Sequence, residues 1–192
     1  DVSHYRLSIH LLIAFFILSL ILWNYLELNI QKKYNFKINN IIPVILLLLI
    51  FLQIIIGAFV SGMDAGRIYN SWPLMGNNYF PDDNKINNLF KLNAFNEPSL
   101  VQFIHRNLAY LIGFFYLFII ILVYKNKIVS LYKPTILLGF FILLQILLGI
   151  ITVLNGAEIY TASMHQISSI FLVSSNIYFI FINSKSKLLP SS

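Results

Sequence analysis

The chain has 192 residues, 58% of them hydrophobic and only 10% charged, with a mean hydropathy of +0.79 and a formal net charge of +6. A soluble domain carries roughly 25% charged residues, so the composition excludes a soluble globular fold and points to lipid as the solvent. The 13 basic residues form no continuous patch, which argues against nucleic acid as a partner, and the absence of cysteine excludes disulfides, thiolate metal sites and thiol catalysis.

In chain order, five segments reach the roughly 20 apolar residues that a membrane span needs. Helix A is predicted over Leu7–Leu28, and helix B over Ile41–Ser61 with Pro43 in its first turn, where the missing N–H costs little. Helix C is predicted over Ser99–Tyr124 after Pro98, helix D over Pro134–Leu154, and helix E over Thr161–Ile182. The first residue is Asp1, with no basic region before the first apolar run, and that run is longer than a signal-peptide core. The start therefore reads as a cut end and the chain as part of something longer. The fold expected is an all-α integral membrane protein of five transmembrane helices, the last four (41–184) forming an antiparallel four-helix bundle.

The connections sort by charge. Lys32, Lys33 and Lys37 fall between A and B, Lys125, Lys127 and Lys133 between C and D, and Lys185 and Lys187 in the tail, 185–192. On the other side Arg6, Arg67, Lys85, Lys91 and Arg106 are diluted by Asp1, Asp64, Asp82, Asp83, Glu97 and Glu158. The positive-inside rule then places the 31–40 loop, the C–D loop and the tail in the cytoplasm or matrix, and helices A, C and E all begin on the outer side. The long B–C connection, 62–98, carries Tyr69, Trp72, Tyr79 and Phe80 and is expected to lie in the membrane interface.

Phe51-Leu52-Gln53-Ile54-Ile55-Ile56-Gly57 in helix B resembles Leu143-Leu144-Gln145-Ile146-Leu147-Leu148-Gly149 in helix D. Each is followed by an outer loop and a helix with a histidine near its start, so B–C and D–E read as two copies of one hairpin related by an axis along the membrane normal. His105 and His165 take equivalent positions, and such an axis brings them face to face. Two imidazoles converging from opposite helices are what bis-histidine haem ligation needs. The residue four positions on, which shares the helix face, is small each time: Ala14 after His10, Ala109 after His105 and Ser169 after His165. The slot beside His105 is expected to extend to Gly113, and that beside His165 to include Ala162 and Ser168. Arg106 and Arg67 lie on the side toward which propionates would point. The alternative for each histidine is an interfacial ring that bonds a backbone carbonyl. For His10 the pattern alone leaves both readings open, and His4 reads as interfacial. Gly57 and Gly149 read as helix-packing residues, Gln53 and Gln145 as interhelical hydrogen bonders.

Several motifs carry a resemblance. Gly57-Ala58-Phe59-Val60-Ser61-Gly62-Met63-Asp64-Ala65-Gly66, continuing to Tyr69-Asn70-Ser71-Trp72-Pro73-Leu74-Met75, and Gln102-Phe103-Ile104-His105-Arg106-Asn107-Leu108-Ala109-Tyr110 look like signatures of the haem A synthase family. Leu144–Ile150, Met164-His165-Gln166 and Ser3-His4-Tyr5-Arg6-Leu7-Ser8-Ile9-His10 fit later helices and the start of the family's fourth helix. The cysteine-free composition is similar to the proteobacterial and mitochondrial branch. The resemblance implies an eight-helix protein of two four-helix halves, with residues 1–30 belonging to a missing N-terminal half. It implies a haem b cofactor on His105 and His165, with haem O as substrate between a histidine of the missing part and His10. It also implies oxidation of a haem O methyl to a formyl, giving haem A for cytochrome c oxidase. The family's catalytic Glu belongs to the missing half, so the chain alone is expected to be inactive. The implied setting is a bacterial plasma membrane or mitochondrial inner membrane, with membrane lipid, haem O synthase and further copies of the chain as partners. The competing readings are a membrane b-type cytochrome acting only in electron transfer, which has no use for His10, and a transporter or assembly factor, which would need broken helices and charged midplane residues that the sequence lacks.

Overall fold

A computed structural model describes residues 3–188, and of 186–188 the backbone alone. Asp1, the Lys187 side chain and residues 189–192, all counted in the charge pattern or the tail above, lie outside the described residues. Five long helices are present: α1 His4–Asn29, α2 Ile41–Gly62, α3 Pro98–Lys125, α4 Tyr132–Leu154 and α5 Ile159–Ser184. At 1.5 Å per residue each is long enough to cross a hydrocarbon layer of about 30 Å, and each is apolar enough to do so. Pro98 opens α3, where proline is preorganised for the first helical turn. Two short strands, β1 Tyr34–Lys37 and β2 Ser186–Leu188, pair in parallel at one end.

The helices α2, α3, α4 and α5 pack in a ring, each against its two neighbours, and α1 lies outside it against α2 and α5. The α4–α5 hairpin packs most extensively, and the α2–α3 hairpin packs about as extensively as α1 does on α2. The helix α5 is the most buried of the five. It carries fully enclosed Val173, Phe179 and Phe181, and buried Ser168, Ser175, Asn176 and Asn183. Small and polar residues at helix contacts are how membrane helices approach closely without a hydrophobic driving force between them. The contact face of α1 is the stripe Ser8, Phe15, Ser19 and Leu26, and Ser8 and Ser19 hold their hydroxyls on the carbonyls of Tyr5 and Phe15. The opposite face of α1 exposes mostly large apolar side chains, among them Ile13, Phe16, Ile17, Leu20 and Ile21.

The connections segregate to two ends, as the charge pattern predicts. At one end Tyr5 donates to Asn96 of the long connection (2.8 Å), and Asn70 of that connection donates to the Val153 carbonyl at the end of α4 (3.1 Å). At the other end the Asn183 amide closes onto the A–B loop. It accepts from the Ile38 N–H (3.0 Å) and donates to the Ile38 carbonyl (3.1 Å) and to Asn40 (2.8 Å). Asn183 is fully buried, so replacing it strands the Ile38 backbone groups, and each orphaned buried polar group costs about 1–3 kcal/mol. Asn183→Leu is therefore expected to lower stability by about 2 kcal/mol or more, read as thermal unfolding in detergent with faster amide exchange at residues 34–40. Lys185→Ala, which loses a half-exposed ion pair to Glu27 and the ammonium's contact over the Phe181 ring (5.2 Å), is expected to change stability by about 1 kcal/mol or less.

Candidate functional site

The two hairpins build one cavity of about 370 Å³ between α2, α3, α4 and α5 at the end that carries the long connection. His105 of α3 and His165 of α5 face each other in it, with ring centres 6.4 Å apart and ring planes at 85°. The Nδ1 atom of each ring is buried and has no hydrogen-bond partner among the described residues.

Each ring is seated by the same device. A Cβ built on Gly57 would lie 3.1 Å from His105 Cε1, and one on Gly149 would lie 3.2 Å from His165 Cε1. Gln53 donates to the His105 carbonyl (3.0 Å) and Gln145 donates to the His165 carbonyl (3.1 Å). Glycine and glutamine stand one helical turn apart on α2 and on α4, so both reach the same turn of the facing helix. The internal repeat is thus a repeat of histidine seats, and the glutamines bond between helices as their sequence setting suggested. The copies differ in one detail: Gln53 Nε2 also lies 3.3 Å from His105 Nε2, whereas Gln145 turns to the Ser168 hydroxyl (2.6 Å).

The seats predict the effect of filling them. Gly57→Val and Gly149→Val force branched side chains into rings already at contact distance, and overpacking of this kind costs about 1–3 kcal/mol. Both variants are expected to displace the adjacent imidazole and to lower thermal stability in detergent to a similar extent.

Of the small residues, Ala109, Ala162 and Ser169 line the cavity. Ser168 does not; its hydroxyl is occupied by Gln145. Gly113 does not line it either, and a Cβ there would meet nothing within 4 Å. His10 and Ala14 are exposed on the far side of α1, which shows Leu7, Leu11 and Phe15 to the cavity instead. His10 is therefore not brought together with His105 and His165. His4 packs edge-on against Phe59 with ring centres 5.0 Å apart, its Cβ over Gly62.

The long connection covers the cavity and is ordered by α3. The Arg106 guanidinium donates to the carbonyls of Ser71 (2.9 Å), Leu74 (3.2 Å) and Tyr69 (2.9 Å). Gln102, one turn earlier on the same face, donates to that same Tyr69 carbonyl (3.0 Å). Trp72 donates to the Tyr110 hydroxyl (3.0 Å), and Tyr79 donates to Asn107 (2.5 Å). Partial burial, helped by its hydrogen bond to Asp83, holds the Tyr69 hydroxyl above its ordinary pKa. The motif Gln102–Tyr110 thus reads as one face that seats a histidine and another that grips a loop. The loop-gripping role of Gln102 was missed at the level of sequence, although its i, i+4 relation to Arg106 is visible there. Arg67 and Asp64 form an exposed ion pair at the cavity edge, 3.7 Å apart, a geometry that contributes little to stability.

Fold and cavity together define a multi-pass membrane protein in which two helical hairpins enclose a pair of facing, half-buried imidazoles. A sequence profile described as Cytochrome oxidase assembly protein (COX15-CtaA) matches residues 1–177. The chain is 46% identical over 184 residues to the haem A synthase of Pelagibacter ubique, with 96% of this chain and 54% of that protein aligned. It is 40% identical over 183 residues to that of Wolbachia pipientis wMel (93% and 51% aligned) and 39% identical over 179 residues to that of Rickettsia bellii (91% and 53% aligned). The chain belongs to this family of cytochrome oxidase assembly proteins, and it spans about half the length of the curated relatives it matches.

Proposed function

We propose that this chain is the cofactor-binding part of a haem A synthase, in which His105 and His165 would hold the iron of one haem b. The observation that carries the reading is the spacing of the two rings. A metal–imidazole bond is about 2 Å and the bonded nitrogen stands about 1.1 Å from its ring centre, so two axial imidazoles on one metal have centres roughly 6.2 Å apart; the rings here are 6.4 Å apart. Among the described residues no third His, Asp or Glu joins them in a metal-holding group, so the remaining donors would come from a macrocycle. The unpartnered ring nitrogens and the two glycine seats fit that group.

Bound haem b supplies one-electron redox chemistry. The protein's part is to hold both imidazoles, to exclude water with the apolar walls and the docked connection, and to offer positive charge at the rim. Arg106 lines the cavity with its Nε buried and unpartnered among the described residues, and Arg67 stands at the edge; together they favour propionates at that rim. In the whole protein, His10 on the far face of α1 would meet the substrate, haem O, whose methyl is oxidised to the formyl of haem A for cytochrome c oxidase. The catalytic Glu lies outside this chain in this reading, which leaves the chain by itself inactive. The membrane is the bacterial plasma membrane or mitochondrial inner membrane with the cavity toward the outer face, as the lysine bias of the opposite end favours.

Optical spectra of the purified chain with added haem b, oxidised and dithionite-reduced, test the cofactor assignment: a low-spin bis-histidine spectrum at one haem per chain is expected, and no binding by a folded protein overturns it. A membrane b-type cytochrome is the second reading, favoured by the paired-histidine cavity and by the exposed position of His10 outside its lining. Mass analysis of haems extracted from cells carrying the full-length gene separates the two, because only the synthase accumulates haem A.

A further inference from the structure

The long connection carries a feature that the cavity does not use. Between Lys85 and Asn96 the chain makes two 3₁₀ turns, Ile86–Phe90 and Leu92–Asn96. Leu89, Ala94 and Phe95 turn inward, while Ile86, Phe90 and Leu92 are 61%, 86% and 89% exposed. The segment is fixed rather than loosely draped. Asn84 donates to Ser99 (2.8 Å), Lys91 donates to Asn88 (3.0 Å), Tyr5 donates to Asn96 (2.8 Å), and Phe95 packs edge-on against Phe59. Three large apolar side chains are thus held outward by a framework that turns their neighbours inward, and exposed Lys85 and Lys91 flank them.

Directly below is an apolar groove of about 420 Å³ on the outside of the α2–α3 hairpin, away from the histidine cavity. It is lined by Leu52, Ile56, Phe103 and Leu111 of the helices and roofed by Leu89 and Phe95 of the connection. Both ends of the connection join membrane spans, at Gly62 and Pro98, so this segment stands at the bilayer surface.

We infer that residues 85–96 form a membrane-interface anchor: Ile86, Phe90 and Leu92 enter the adjacent leaflet, Lys85 and Lys91 meet anionic lipid phosphates, and an acyl chain occupies the groove beneath. Apolar side chains rimmed by lysines, at the level where headgroups meet acyl chains, have the chemistry of an interfacial segment. Anchored there, the connection is held down from its outer edge while Arg106 holds it from the cavity side.

The cysteine-free chain permits a direct test by single-site spin labelling in lipid nanodiscs. Labels at Phe90→Cys and Leu92→Cys are expected to collide severalfold more with oxygen than with a water-soluble nickel chelate, relative to a label at Asn77→Cys elsewhere on the connection. Adding phosphatidylglycerol to phosphatidylcholine should deepen both labels, and Lys85→Gln with Lys91→Gln should remove that dependence. Labels at 90 and 92 as open to nickel as the one at 77 would overturn the anchor. Labels shielded from both reagents would overturn it too, and would mean that a protein surface covers the segment instead. Amide exchange of residues 85–96 in each variant separates loss of anchoring from loss of the fold.

Discussion

A chain carrying His105→Ala or His165→Ala is expected to lose the low-spin bis-histidine spectrum of the proposed haem complex entirely, because each supplies one of the two imidazoles that line the cavity and no third His, Asp or Glu joins them among the described residues. His10→Ala, on the far face of α1, should leave the spectrum of this chain unchanged. Each alanine also leaves a ring-sized space beside Gly57 or Gly149, so free imidazole added to the variant should restore part of the signal. Circular dichroism shows whether the bundle survives the substitution. An unchanged spectrum in both single variants would end the ligand assignment, whatever the family.

The second large effect is expected at Arg106. Its three bonds to the carbonyls of Tyr69, Ser71 and Leu74 come from a charged donor, and hydrogen bonds to charged groups contribute about 1.5–3 kcal/mol each. Discounting for coupling among three bonds on one group, Arg106→Leu should destabilise the docked connection by about 3 kcal/mol, with severalfold faster amide exchange across 69–76. Arg106→Lys should not rescue it, since an ammonium cannot present the flat fork that spans the carbonyls. The exchange is measured without haem. If Arg106 acted only on a propionate, the haem-free protein would show no difference.

The five spans were legible because each is a predominantly apolar run of span length bounded by lysines, prolines or polar loops. The observed helices exceed the predicted ones by a few residues at their ends. The start of α1 moves from Leu7 to His4 because Tyr5 and His4 pack on Phe59, a contact no local pattern shows. The approach of His105 to His165 was legible for a different reason: the repeated Gln and Gly on α2 and α4 mark equivalent positions, and equivalence implies convergence across the bundle. What the sequence conceals is long-range polar pairing. Arg106 reads as a rim cation from its position, yet its terminal nitrogens are engaged with backbone some 35 residues away. Asn183 falls just past the predicted end of helix E and carries no local signal, yet it holds Ile38, 145 positions earlier. The parallel pairing of Tyr34–Lys37 with Ser186–Leu188 is hidden likewise, since strands this short have no periodicity to detect.

The paired histidine seats separate two properties that a cofactor protein usually has to adjust together. Each hairpin contributes a matching Gln-Gly seat on one helix and a histidine on the next, so ring spacing follows mainly from how the two modules dock. The connections themselves are unequal: 63–97 forms the cover, whereas α4 and α5 are joined by four residues, 155–158. Insertions, deletions and charge changes in the longer cover can therefore retune access, rim potential and lipid contact while the imidazole pair stays where it is. Variation confined to that cover is the expected route by which one ligand geometry serves membranes of different composition.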